Sequence, residues 1–175
     1  MRNKKSLLKI TNTAIFTAII LLSTILIKFS TGLGEGYIHF GDCFIYLSAC
    51  ILPFPYCLVA SALGGALADI LGGFAVWAVP TAIIKILITL PFMLMCKNSK
   101  SPRILSIKVV LMTIVSGVIS ILGYFVSECI LYSVASATLS IIGNIIQAVA
   151  SGILFVIIAT ALDRINFKSK ISKGV

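Results

Sequence analysis

Charged side chains are scarce in this chain, and the few charged, amide and aromatic polar groups that interrupt its apolar stretches are the ones equipped for recognition chemistry. Tyr37, His39 and Asp42 stand together after the first apolar stretch. Asp69 lies in the run ALADILGG, Trp77 precedes the fourth apolar stretch, and Lys85 lies within it. Glu128 closes the fifth. Asn144 and Gln147 are three apart in the sixth, which puts them on one face of a helix. Ionisable groups within a membrane span are costly and face the protein interior or a cavity. Asn and Gln offer both donors and acceptors, to a ligand or to a neighbouring helix. Each position also has a structural reading. Asp42, Asp69 and Trp77 suit interfacial caps and anchors. Lys85 can pair with Asp69 instead of a ligand. Asn144 and Gln147 can bond neighbouring helices. His39 beside Asp42 can hydrogen-bond at a loop–helix junction.

The catalytic inventory is short. The chain has no Walker sequence, no HExxH, no CxxC and no zinc-ligand spacing. Its single histidine leaves no arguable Ser, His and Asp set. The expectation is no enzyme, no cofactor and no metal site, so active transport would need another subunit or an ion gradient. Cys43, Cys50 and Cys57 recur at intervals of seven, about two helical turns, which places them on one helix face. They read as small, soft packing residues. With Cys96 and Cys129 the count is odd, which argues against an all-disulfide scaffold.

The elements that must position these groups follow from composition and charge. The chain is 59% hydrophobic and only 11% charged, with mean hydropathy +1.15. A soluble domain needs about a quarter of its residues charged. The formal net charge of +9 is concentrated in three clusters. These are Arg2, Lys4, Lys5 and Lys9; Lys97, Lys100, Arg103 and Lys108; and Arg164, Lys168, Lys170 and Lys173. Lys28 and Lys85 alone fall outside, Lys28 reading as an outer-edge anchor. Cytoplasmic loops carry the Lys/Arg excess, and anionic headgroups are the local partner, so membrane lipid and not nucleic acid is implied.

Three cytoplasmic anchor points require an even number of crossings between each pair. The reading is an all-α integral membrane protein of six transmembrane helices, with both termini cytoplasmic. The spans are placed at 10–29, 42–58, 59–73, 79–96, 108–128 and 138–162, with the first retained and not cleaved as a signal. Residues 30–41, broken by Gly32, Gly34, Glu35 and Gly36, form an extracellular loop. Pro53 and Pro55 blur the boundary between spans two and three. Small residues at Ala14 and Ala18, at Ala62, Gly65 and Ala66, and at Gly117, Gly143 and Gly152 permit close helix approach.

Four blocks then resemble a known family: YIHFGD at 37–42, GGALADILGG at 64–73, P-T-x-x-x-K at 80–85 and GNIIQAVASG at 143–152. The chain resembles the substrate-binding S component of energy-coupling factor (ECF) transporters, in the riboflavin, pyridoxine and hydroxymethylpyrimidine branch. That resemblance implies a six-helix bundle in a bacterial cytoplasmic membrane that binds one vitamin-like nutrient near its outer face. It implies a transmembrane coupling protein and two cytoplasmic ATPase subunits as partners, with toppling of the loaded subunit as the delivery step. Ala14 and Ala18 match the helix-one motif facing the coupling protein. Tyr37, His39 and Asp42 fall at the pocket entrance, Trp77 and Lys85 in the fourth-helix region, and Asn144 and Gln147 on the sixth helix lining the pocket. Vitamin B6 or hydroxymethylpyrimidine leads as ligand, with riboflavin and a queuosine precursor as alternatives. An autonomous gradient-driven carrier and a non-transporting structural membrane protein are the competing functions.

Overall fold

The computed structural model describes residues 2–30, 37–96 and 103–172. Gly32, Gly34, Glu35, Gly36, Lys97, Lys100 and Lys173 lie outside these residues. Each of the six expected spans overlaps a helix of its own, but the first, placed at 10–29, ends at Leu26, because Lys28 and Phe29 belong to a strand. The helices are α1 (Arg2–Leu26), α2 (Gly41–Ile51), α3 (Tyr56–Leu71), α4 (Ala78–Cys96), α5 (Ile107–Leu131) and α6 (Val134–Arg164), followed by a short α7 (Phe167–Ser172). A single 3-10 turn, Ala75–Trp77, leads into α4. Four of the helices are long and apolar enough to cross a membrane, whereas α2 and α3 are shorter. At 1.5 Å per residue, α2 spans only about 16 Å. Leu22, Leu87, Ile114, Val118 and Ile153 are among many large apolar side chains left exposed around the bundle. Such a surface belongs against hydrocarbon, and the chain is a multi-pass membrane protein.

The expected second span ran through to residue 58, and the structure corrects this. Helix α2 stops at Ile51, and Leu52 turns to an extended conformation (φ −81°, ψ 142°). Pro53 accounts for it: the proline ring excludes the helical conformation from the residue before it. Pro55 then caps α3. Cys57 therefore sits on α3, away from Cys43 and Cys50 on α2, and the interval of seven does not mark one helix face. Pro80 falls in the first turn of α4, where no backbone donor is needed. Pro91 lies inside α4, and in the loosened turn before it Ser116 of α5 donates to the Ile88 carbonyl at 2.7 Å.

The expected loop at 30–41 holds more order than a loop. Strands β1 (Lys28–Ser30) and β2 (Tyr37–His39) pair antiparallel, with Phe29 opposite Ile38. Lys28 reaches back over the Phe74 ring at 5.6 Å, tying this hairpin to the turn after α3.

Helix α2 is the centre of the bundle, packed against α1, α3, α4 and α6. Its inward face steps through layers shared with α4 and α6. Tyr46 stacks on Phe92 at 4.5 Å and meets Phe155 edge-on at 5.9 Å; Phe92 and Phe155 meet at 5.4 Å. One layer further on, Cys50 faces Cys96. Both residue numbers rise together along each layer, so α2, α4 and α6 run parallel. Close approach elsewhere rests on glycine. A Cβ at Gly64 would stand 2.8 Å from Ile20 Cβ, so α3 can lie against α1 only with a hydrogen there. At the far end of the bundle from the hairpin, Asp163 accepts from the backbone N–H groups of Ile104 and Leu105 at 2.6 and 2.9 Å. That fixes the linker entering α5 to the end of α6.

Candidate functional site

At the hairpin end, one turn before the aromatic layer on α2 and about two turns before it on α4 and α6, these helices contribute one charged or polar side chain each. Asp42 stands in the first turn of α2. Lys85 Nζ donates to Asp42 Oδ1 at 2.5 Å. Gln147 Nε2 donates to Asp42 Oδ2 at 3.2 Å, so both carboxylate oxygens are engaged. Gln147 Oε1 in turn accepts from the His39 backbone N–H at 3.3 Å, and His39 Nδ1 accepts from the Gly41 N–H at 3.1 Å. His39, Asp42, Lys85 and Gln147 are all buried. Burying an ion pair is tolerated only when geometry is good and remaining valences are filled, which the glutamine accomplishes here. The network thereby pins β2 and the start of α2 to α4 and α6.

The sequence supports this placement locally. A Cβ at Gly65 would come within 2.8 Å of Lys85 Cγ, so the lysine stem runs across a glycine on α3. His39 lies in the hairpin, outside the spans. Its burial, and secondarily the Lys85 charge, pushes the imidazole down to about 4. It is therefore neutral at ordinary pH, as acceptance at Nδ1 requires.

Next to the ion pair lies an aromatic cluster. Lys85 Nζ is 5.1 Å from the Tyr124 ring centroid. Trp77 lies 5.9 Å from Tyr124 and 6.0 Å from Tyr132, and its indole N–H donates to the Tyr132 hydroxyl at 3.3 Å. Below it on α5, buried Glu128 accepts from Ser140 of α6 at 2.7 Å. A charged pair beside flat aromatic faces can hold a planar solute by stacking and orient it by hydrogen bonds.

The structure brings together His39, Asp42, Lys85 and Gln147, with Trp77 joined through Tyr124. It corrects two alternative readings. Lys85 pairs with Asp42, not Asp69, because α2 enters the bundle between α4 and α6 while Asp69 sits near the end of α3. Asp42 is a buried ion-pair partner, not an interfacial cap, and Trp77 is buried against Tyr124. Asn144 is half-buried, and no hydrogen bond joins it to the network among the described residues. Tyr37 is placed by its backbone on β2. Ala14 and Ala18 are exposed on α1, opposite the Phe16 and Ile20 side that packs inward. Tyr124, Tyr132 and Ser140 escaped the sequence reading. Their signal was available: Tyr124, Glu128 and Tyr132 recur every four residues, one face of α5. An apolar groove between α5 and α6, lined by Thr113, Ile114, Gly117, Ala148 and Gly152 among others, carries no charged side chain.

A polytopic helical bundle with a buried ion pair beside an aromatic cluster at one end is the architecture on which the family comparison bears. Residues 4–164 match the family described as ECF-type riboflavin transporter, S component, and the chain belongs to that family. It is also similar to an uncharacterized protein in the gap 3′ region of Pyrococcus woesei, 29% identical over 133 residues that cover 76% of this chain and 86% of the relative.

Proposed function

We propose that this chain is the high-affinity membrane substrate-binding subunit of an ATP-driven ECF importer, and that its solute is a flavin-like planar heterocycle, with riboflavin first. The observation that carries the reading is the Asp42–Lys85–Gln147 network lying directly against the Trp77–Tyr124–Tyr132 aromatic cluster. The family description supports riboflavin over vitamin B6 or hydroxymethylpyrimidine, which led on resemblance alone. A tricyclic ring suits several aromatic faces better than a single small ring does.

In this reading the six helices all cross the membrane and the hairpin end faces outside. The basic clusters, including Lys4, Lys5 and Lys9 on α1 and Arg164 and Lys168 near the C-terminus, face the cytoplasm. Tyr37, His39 and Asp42 gate the entrance. Trp77, Lys85, Asn144 and Gln147 line the pocket, the half-buried Asn144 lying one turn before Gln147 on α6. The shallow stripe at Ala14 and Ala18 receives the transmembrane coupling protein, whose two cytoplasmic ATPases supply the energy. The chain itself is no enzyme.

Reconstituted vesicles test this. Uptake of labelled riboflavin should require the coupling protein and both ATPases together with ATP. Uptake by this chain alone, driven by an ion gradient, would establish the autonomous-carrier reading instead.

A further inference from the structure

The end of the bundle opposite the hairpin holds a second pair of reactive groups. Cys50, in the last turn of α2, and Cys96, the last residue of α4, bring their sulfurs to 3.4 Å. Both are free thiols. Cys50 is buried, whereas Cys96 is half-buried at the helix end. Helix α7, which carries Lys168, packs on α2. The thiolate is the attacking form in disulfide exchange. Ordinary packing requires no sulfur–sulfur contact at two helix ends.

We propose that Cys50 and Cys96 form a reversible dithiol redox site that, when oxidised, cross-links the ends of α2 and α4. The oxidant is a small-molecule disulfide of the glutathione class. The Cys96 thiolate attacks one sulfur of that disulfide, forming a mixed disulfide and expelling one thiolate, which takes up a proton. The Cys50 sulfur, after losing its own proton to solvent, then attacks Cys96 Sγ. The Cys50–Cys96 bond forms and the second small thiolate leaves. Two protein thiols are oxidised and one disulfide is reduced to two thiols. Cys96 is the entry sulfur because it is the more exposed, and Cys50 is the resolving sulfur. The consequence follows from the fold. Helices α2 and α4 are already joined near the hairpin by Asp42 and Lys85. A second link at the opposite end would hold them fixed along their whole shared length.

The test exposes the purified full chain to oxidised glutathione and maps its cysteines by peptide mass spectrometry, before and after a reductant. The expected result is a Cys50–Cys96 peptide that loses two hydrogens and reverts on reduction. Cys50→Ser should trap glutathione on Cys96, and Cys96→Ser should leave Cys50 unmodified. Cys50→Ala repeats the trapping test should the serine variant fold poorly. Free thiols at both positions after oxidation, a bridge to Cys57 instead, or equal glutathione capture by both single variants would each overturn the assignment.

Discussion

The ammonium of Lys85 donates to the carboxylate of Asp42 across 2.5 Å, between helices that begin 37 residues apart, and neither group meets solvent. This contact sets the position of α2, since the second carboxylate oxygen is held by Gln147 on a third helix. The pair is thus both a structural junction and the electrostatic floor of the proposed pocket.

Removing one charge of this pair should be worse than removing both. Lys85→Met strands a buried carboxylate, and the expected loss is about 3–5 kcal/mol of stability. Asp42→Asn combined with Lys85→Met should recover much of it. Thermal unfolding of the purified variants in detergent, arranged as a double-mutant cycle, reads the difference.

Gln147 and Asn144 should separate by readout. Gln147→Ala removes a donor to Asp42 and an acceptor for the His39 N–H, and should lower stability by about 1–3 kcal/mol. Asn144→Ala disturbs no bond of the network, and should leave the melting temperature in place while weakening solute binding. Calorimetric titration beside thermal unfolding distinguishes the two.

The six helical blocks were legible because each is a run of apolar residues, and α4 was placed at 79–96 against an observed Ala78–Cys96. The α2–α3 boundary was not. Apolar character continues unbroken through Pro53, Phe54 and Pro55, so hydropathy alone carries no mark of the backbone turn there. Pro53 did carry one, through its effect on Leu52. Most of the network was recognisable as polar residues too costly to waste in a span. The Lys85 partner was not recognisable, because a pairing over 43 residues is decided by which helix occupies the bundle centre, and no local period records that. Tyr124 was overlooked because an aromatic residue in an apolar run looks like core.

Ala14 and Ala18 should matter only in the assembled importer. Both side chains point away from the bundle, so Ala14→Leu or Ala18→Leu should leave melting and solute binding unchanged. Uptake in vesicles with the coupling module should fall at least tenfold. Gly64→Ala is the internal contrast. Its new Cβ would meet Ile20 at 2.7–2.8 Å, and overpacking of this kind costs about 1–3 kcal/mol, read as lower thermal stability.

His39 gives a pH dependence with a definite sign. Its folded value of about 4 lies below the ordinary histidine value of about 6.5, so the unfolded chain binds the extra proton between them. Stability from this group is complete above about pH 6.5 and is lost progressively as pH falls toward 4, by roughly 3 kcal/mol in all. His39→Gln should flatten that slope, measured as unfolding midpoint against pH.

The proposed solute site lies at the Lys85 and Trp77 end, and titration of riboflavin into the purified chain, followed by quenching of flavin fluorescence, measures it. Saturable one-to-one binding is expected without coupling or ATPase subunits, weakened at least tenfold by Asn144→Ala in protein with unchanged melting. Absence of saturable binding by well-folded chain, while another heterocycle co-purifies with it, would contradict the flavin assignment; absence of any bound or bindable solute would contradict the account itself.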